Sequence, residues 1–504
     1  MNTEIELKYI VACEEVESRI ESTLSQLPIS CQRTTKELSN TYFDTPDQLF
    51  RQADMGLRVR ACQNTYEQTI KTAGKVVGGL HQRPEYNVDI DSTSPDLSLF
   101  PSALWQDNQN VEQLQESLVP LFSTNFLRKI WLIENKNGSK IELAYDSGSI
   151  LSGSQSVDIN EIELELVSGK ATDLFELATK LFDSLLLRPG CKSKAARGYG
   201  LWLNTDTSVE VTPFELVPLR HDNNILQSFT SGLNFGLGQL QAMVEAYIES
   251  PSLSYLAKTL EVMALIRHGF WLFESHLNEE HIKVRDELSY FMKSFLWVDN
   301  ATHLSELTNK TGNYRKKIEY SEQLISQLKI EKQKFPNESQ VKEIIYSSRF
   351  NNLQLNLLAL LLNFEDDAEQ KPQENITIQS FARKAFDESL SLAQNALTSD
   401  VPLTTEQYLS HQKLVIRSLL TGSWFGSLYD KQLRLDFRSP WLDIKHGLSE
   451  LHTLWVLQEQ LDALEEIPEK LIRWHHGKVE NLLLAMEHSR ETALGLEPYW
   501  RLSQ

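Results

Sequence analysis

Glu4-Ile5-Glu6-Leu7-Lys8 and Glu161-Ile162-Glu163-Leu164-Glu165 each alternate a charged residue with an aliphatic one, without interruption. Strand side chains repeat every two residues, so such a segment sets its charges on one face and its aliphatics on the other. Working outward from these two, Arg58-Val59-Arg60, Thr69-Ile70-Lys71, Arg83-Pro84-Glu85 and Glu142-Leu143-Ala144-Tyr145-Asp146 repeat the arrangement. An ordinary antiparallel strand turns its polar face to water. Here some polar faces carry carboxylates and others Arg or Lys, which suits an enclosed site for a metal–polyanion complex. Each segment alone reads equally well as a solvated strand face. An ordered series of acidic and basic faces is much harder to produce by chance.

At 504 residues the chain is long enough for two or three domains with proper cores. A formal charge of −20 argues against broad, sequence-independent binding of nucleic acid, which relies on a basic surface. Cys13, Cys31, Cys62 and Cys191 are scattered, as expected in a reducing compartment. Met1-Asn2-Thr3-Glu4-Ile5-Glu6 lacks the basic start and apolar core of a signal peptide. The run Leu355 to Leu362 is too short to span a bilayer. These features predict a cytoplasmic protein with no membrane association.

Residues 1–203 mix period-two segments with helical spacing at Glu14–Leu27 and Asp173–Leu187. Turn signals at Asp44-Thr45-Pro46-Asp47, Gly78-Gly79, Asn137-Gly138 and Ser147-Gly148 punctuate the strands. Many short strands around a polar interior suggest an antiparallel sheet closing on itself. Residues 204–221, with Pro213 and Pro218, read as a linker. Across residues 222–504 the period is helical for almost the whole length, with long amphipathic stretches at 226–249, 256–277, 338–362, 377–397, 404–428, 441–464 and 468–488. Ser250-Pro251, Pro336-Asn337, Lys371-Pro372 and Ser439-Pro440 are expected to separate them, giving an all-α helical bundle.

The chemistry follows from the residue types. Binding a triphosphate needs Arg forks and Lys point charges, for which Arg58, Arg60, Lys71, Arg83, Arg128, Lys194 and Arg197 are candidates. Glu4, Glu6, Glu142, Asp146, Glu161, Glu163 and Glu165 offer hard oxygen ligands for Mg²⁺ or Mn²⁺. His81 reads as a turn residue rather than a base. Arg473-Trp474-His475-His476 reads as a helix face, since adjacent histidines point apart. No phosphate loop of the G-x-x-x-x-G-K-[ST] type is present.

In order along the chain, Glu4-x-Glu6-x-Lys8, Gly56-Leu57-Arg58-Val59-Arg60, Thr69-Ile70-Lys71, Gln82-Arg83-Pro84-Glu85-Tyr86, Arg128, Ile141-Glu142-Leu143, Glu161 to Glu165 and Ser193-Lys194-Ala195-Ala196-Arg197-Gly198-Tyr199 resemble the signature of the CYTH superfamily, the triphosphate tunnel metalloenzymes. The helical half looks like a CHAD domain, and the layout resembles bacterial inorganic triphosphatases. The resemblance implies an α+β N-terminal domain with an eight-stranded closed antiparallel β-barrel, followed by the all-α bundle. It further implies hydrolysis of tripolyphosphate to pyrophosphate and phosphate with Mg²⁺ or Mn²⁺. Glu4, Glu6 and Glu163, with Glu161 or Glu165, would serve the metal. Lys8, Arg58, Arg60, Lys71, Arg128 and Lys194 would hold phosphate oxygens. Glu6, Lys8, Glu85 and Asp146 are the catalytic candidates, Glu85 and Asp146 acting by metal ligation or by handling the water. One departure stands out: Ile130 occupies the position where a second basic residue often follows Arg128, and Lys129 is expected on the other face.

CHAD domains are thought to bind polyphosphate through basic residues on helical faces. The matching positions are Arg267-His268, His411, Lys413 and Arg417, but Gly269-Phe270-Trp271-Leu272-Phe273 replaces the expected arginines. About −8 of the formal charge falls in residues 1–203, leaving about −12 on the remainder, a poor background for polyanion capture. The helical half therefore reads as a scaffold first and a polyphosphate site second. Adenylyl cyclase or thiamine triphosphatase chemistry on the same barrel, and a non-enzymatic polyphosphate-binding adaptor, are the alternative functions.

Overall fold

The computed structural model describes residues 2–63, 65–77, 80–105, 110–204, 211–319, 321–368, 376–464 and 469–502. At residues 2–4, 75–77, 81, 82 and 363–368 only the backbone is described. The side chains of Glu4 and His81, and the breakers at Gly78-Gly79 and Lys371-Pro372, therefore lie outside the described residues. The chain divides into two compact units, residues 1–208 with 343–359, and residues 209–342 with 360–504.

The first unit is built on an antiparallel sheet of ten strands: β1 (Asn2–Val11), β2 (Ser30–Asp44), β3 (Gly56–Cys62), β4 (Thr65–Lys71), β5 (Lys75–Val77), β6 (Leu80–Ile90), β7 (Val119–Glu134), β8 (Lys140–Ser152), β9 (Gln155–Ser168) and β10 (Leu187–Pro189). This corrects the expected count of eight, because the three-residue strands β5 and β10 add to the long ones. The order is β10-β1-β9-β8-β7-β2-β3-β4-β6-β5, and β1 pairs with β6 as well as with β9. All six charged segments lie on strands. Ser147-Gly148, however, sits inside β8 and is no turn. A Cβ at Gly148 would run into the Asn125–Phe126 backbone of β7, so this glycine serves a close strand approach instead.

Among the described residues up to 204, the helices beside the sheet are α1 (Val16–Ser25), α2 (Leu49–Gln52), α3 (Val111–Ser117), α4 (Ala171–Phe182) and α5 (Lys194–Leu203). The helix expected to reach Leu187 stops at Phe182, and Leu187 opens β10. Alternation on β3 and β4 buries Leu57, Val59 and Ile70 against Phe43, Phe50, Leu97 and Phe100, which leaves Arg58, Arg60 and Lys71 on the opposite face. A second core joins Leu38, Tyr42, Phe122, Phe126, Ile150, Ile159 and Tyr199, and so packs α5 onto the sheet.

The rest is helical: α6 (Ile225–Glu249), α7 (Leu253–Leu272), α8 (Glu279–Ser294), α9 (Trp297–Thr308), α10 (Arg315–Ile318), α11 (Glu322–Gln333), α12 (Glu338–Ile345), α13 (Ser348–Ala368), α14 (Ile378–Leu397), α15 (Thr405–Phe425), α16 (Lys431–Asp462) and α17 (Glu469–Gly495). Pro440 lies inside α16, so Ser439-Pro440 does not end a helix. Proline costs a helix one hydrogen bond, and burial of Phe437, Trp441, Ile444 and Leu448 on one stripe overrides it. Residues 343–359, from the helical half of the sequence, group with the first unit. There Asn351 Nδ2 donates to the Leu187 carbonyl at 2.7 Å and Ser348 Oγ donates to Asp183 at 2.7 Å.

Candidate active site

A cavity of about 620 Å³ opens within the first unit. Of the residues singled out from sequence, Glu6, Lys8, Arg58, Arg60, Lys71, Arg83, Glu85, Arg128, Glu142, Glu163, Glu165 and Lys194 line it. Asp146 and Glu161 do not: both are fully buried beneath the wall. Arg197 is also absent from the lining and is paired with Glu161 instead. Ile130 is buried, while Lys129 pairs with Glu17 away from the cavity.

The carboxylate side is set by register. Glu6 faces Glu165 across β1 and β9, and Glu165 faces Glu142 across β9 and β8, so three glutamates form one row. Like charges directly opposite one another are unfavourable, and a row of them on a cavity wall favours a multivalent cation. One row further along, Lys8 faces Glu163, and Lys8 Nζ lies 3.0 Å from Glu163, 3.6 Å from Glu6 and 3.7 Å from Glu161. Burial alone would lower Lys8; Glu163, Glu161 and Glu6 together hold it well above the usual lysine value.

Deeper in, Lys194 Nζ contacts Asp146 at 2.6 Å, Glu163 at 2.8 Å and Glu161. The donor atoms of Asp146, Glu161 and Glu163 lie within 4.8 Å of one another, a spacing that would suit an ion. The Lys194 ammonium supplies the positive charge at that point. Arg128 grips Asp146 through both Nε (2.7 Å) and Nη2 (2.6 Å) and also reaches Glu163. Against burial, which would raise them, Lys194 and Arg128 keep Asp146 and Glu163 below the ordinary carboxylate range, with Lys8 adding to the effect on Glu163. The Glu6–Glu165–Glu142 row lines the open cavity, whereas the charge of the buried trio is already met by Lys194.

The cationic side comes from β3, β4, β6 and α2. Glu85 pairs with Arg58 at 3.1 Å and Lys71 at 3.3 Å, and Arg83 pairs with Asp54 at 3.5 Å. Arg60 Nε donates to Asn40 Oδ1 at 2.9 Å. Burial first, then the charges of Arg58 and Arg128, lower Arg60 to about 10, so it stays protonated at neutral pH in a field that favours an anion.

Alternation of charge did not point to Tyr42, Arg51, Asp54, Glu67, Asn87, Phe126, Ser193 or Tyr199, which also line the cavity. Arg51 and Lys194 are placed through one buried carboxylate. Asp44 accepts from the backbone N–H groups of Thr45 (2.7 Å), Phe50 (3.0 Å) and Arg51 (3.1 Å), and from the Tyr199 hydroxyl (2.7 Å). It thereby fastens α2 and α5 to the end of β2. Gly198 lets α5 approach β7, since a Cβ there would overlap the Phe122 ring.

In the helical unit, His268 is buried with Nε2 at 2.9 Å from Thr421 Oγ1, and burial lowers it to about 3. Gly232 and Gly269 make room for Trp424, whose Nε1 donates to the Leu265 carbonyl at 2.9 Å. Arg267, Lys413 and Arg417 are exposed.

One antiparallel sheet brings opposed carboxylates and buried cations to a single cavity. Residues 2–199 match the CYTH domain family. An inorganic triphosphatase of Haemophilus influenzae is 42% identical over 176 residues, 33% of this chain and 49% of that protein, so the chain spans about half the length of that curated relative. Among solved structures, a CHAD domain from the plant Ricinus communis is similar at 16% identity, covering 57% of this chain and 98% of that one with a TM-score of 0.43. A solved inorganic triphosphatase is similar at 20% identity, covering 34% and 79% with a TM-score of 0.15.

Proposed function

We propose that the chain is a metal-dependent inorganic triphosphatase, with residues 1–203 as the catalytic domain, 204–221 as a linker and 222–504 as a CHAD-like scaffold. The β1–β6 pairing joins the eight long strands end to end, and in this reading they form the wall of a closed tunnel. Water attacks the terminal phosphoryl of tripolyphosphate, one P–O–P bond breaks, and pyrophosphate and phosphate leave. One observation carries the reading: a single cavity is lined by register-opposed carboxylates from β1, β9 and β8 and by Arg and Lys from β3, β4 and β6.

Arg58, Arg60, Lys71, Arg83 and Arg51 hold phosphate oxygens, and Lys8, Arg128 and Lys194 add charge where the two sides meet. Phosphoryl transfer relies mainly on such placement and electrostatics. Glu6, Glu165 and Glu142, with Glu163 beside them, would hold Mg²⁺ or Mn²⁺, whose chemistry when bound is to polarise a phosphoryl oxygen and acidify water. Asp146 and Glu161 act as positioning residues for Arg128, Lys194 and Arg197. Of the carboxylates considered for orienting water, Glu85 is the one on the wall, while Asp146 and Glu161 are buried.

The test is phosphate release from tripolyphosphate, ATP and thiamine triphosphate, with Mg²⁺, with Mn²⁺ and with chelator, alongside cyclic AMP detection. Metal-dependent cleavage of tripolyphosphate above the other two is expected. Cyclic AMP as the main product, or tight long-chain polyphosphate binding with no turnover, would overturn the assignment.

A further inference from the structure

The helical unit contains a second group of metal-ligating side chains. Asp299 and His303 are four residues apart on α9 and so share a face, and His452 faces them from α16. Their donor atoms all lie within 4.8 Å of one another. His303 Nε2 is 3.7 Å from Asp299 Oδ1, His452 Nδ1 is 4.0 Å from Asp299 Oδ2, and the two rings lie 4.5 Å apart. Both polar separations are too long for hydrogen bonds. Donors around a tetrahedral Zn²⁺ with ~2.0–2.2 Å bonds are separated by roughly 3.3–3.5 Å, so small side-chain rotations would close the set.

The hydrogen bonds around His303 say which of its nitrogens is available. Thr453 Oγ1 donates its proton to the Ser449 carbonyl at 3.1 Å and lies 2.8 Å from His303 Nδ1. With that proton committed, Thr453 accepts from Nδ1–H, and the lone pair of His303 is left on Nε2, facing the Asp299 carboxylate. Two acceptors pointing at one another are favourable only with a cation between them. An outer partner that fixes the imidazole tautomer is the usual support for a histidine ligand. His452 Nδ1 is buried and without a hydrogen-bond partner. His303 is 4% exposed, so its ring is held in place by the surrounding packing. Leu304, Leu307, Leu454, Val456 and Leu457 belong to one apolar core, while Asp299 reaches solvent and gives an ion its route in.

The geometry points to a divalent transition-metal site at Asp299, His303 and His452 that clips α9 to α16. Two imidazoles and one carboxylate suit Zn²⁺, Ni²⁺ or Co²⁺ and not Mg²⁺, which prefers an all-oxygen set. Three protein ligands leave a position for water.

The test uses the full chain, stripped with chelator and titrated with Zn²⁺ against a background of excess Mg²⁺ to occupy oxygen-ligand sites. Wild type is expected to bind about one equivalent of Zn²⁺ more than Asp299→Ala or His452→Ala, or to bind it at least about tenfold more tightly. Co²⁺ loading should give d–d absorption bands that both variants lack. Zn²⁺ should raise the melting temperature of wild type and not of the variants. Asp299 is exposed, so its removal leaves the helix packing in place and the comparison holds even where His452→Ala is destabilised. Equal Zn²⁺ stoichiometry and affinity in wild type and Asp299→Ala would overturn the site. Tripolyphosphate turnover with Mg²⁺ is expected to be unchanged in both variants.

Discussion

Asn40 Oδ1 accepts from Arg60 Nε at 2.9 Å, while the Asn40 amide donates to Thr124 Oγ1 at 2.9 Å. Asn40 is buried, and this chain from β7 through β2 to β3 aims a guanidinium that has like-charged neighbours and no close carboxylate in register except Glu67. Replacing Asn40 by Leu keeps the size and removes the acceptor. A lost hydrogen bond to a charged group is worth ~1.5–3 kcal/mol, so kcat/KM for tripolyphosphate should fall roughly 10- to 150-fold. Asn40→Asp should retain the grip on Arg60 but weaken anion binding through its charge. Steady-state kinetics on the two variants separate orientation from charge.

Glu6→Gln should abolish turnover. Glu6 lies in the row with Glu165 and Glu142 and 3.6 Å from Lys8, and the amide keeps the shape while giving up a charge and an anionic ligand. Far-UV circular dichroism and the melting temperature are expected to stay close to wild type. A folded Glu6→Gln protein cleaving tripolyphosphate at the native rate would remove Glu6 from the active site.

Asp146 and Glu163 are held below the ordinary carboxylate range, so the sign of their pH dependence follows directly. A depressed folded pKa gives stability that is complete above the unfolded value and is lost as pH falls through the folded one. The ordinary values of these two carboxyls are 3.8 and 4.5, so the first unit should keep this stabilisation down to about pH 4.5 and lose it in more acidic solution. Asp146→Asn leaves Lys194 and Arg128 short of one buried partner. Breaking such a network costs ~3–5 kcal/mol, or roughly 6–20 °C in the melting temperature of a unit this size. Calorimetry at a series of pH values should also show a flatter acid limb in the variant.

Much of this arrangement is legible in the chain because alternation reports which face a side chain takes. Arg58, Arg60, Lys71, Glu142 and Glu165 reach the cavity as their spacing requires. Depth is not encoded in alternation, and so Asp146 and Glu161, on the correct face, prove to lie under the wall. Tyr42 and Asn40 on β2 give no signal because their strand places neutral residues inward. Arg51 sits on a helix of four residues, too short for any period to show. Helices α8 to α11 show no long amphipathic stretch in the sequence, since their stripes are narrow and charged residues crowd the remainder. Pro440 shows the reverse error, where a strong local breaker yields to tertiary packing.

Gly198→Ala should uncouple α5 from the sheet. The added methyl would overlap the Phe122 ring, which stacks on Tyr42 at 4.7 Å and meets Tyr199 edge-on at 5.3 Å. Neither neighbour leaves the ring free to turn away, so α5 must move, and Lys194 on its first turn moves with it. Overpacking of this kind costs ~1–3 kcal/mol in stability. The catalytic loss should be larger than the stability loss alone predicts, because Lys194 sits among Asp146, Glu161 and Glu163. More than about tenfold in kcat/KM is expected, as small misplacements of a charge that acts by position are costly. A variant that loses stability while keeping full kcat/KM would show that the site tolerates displacement of α5.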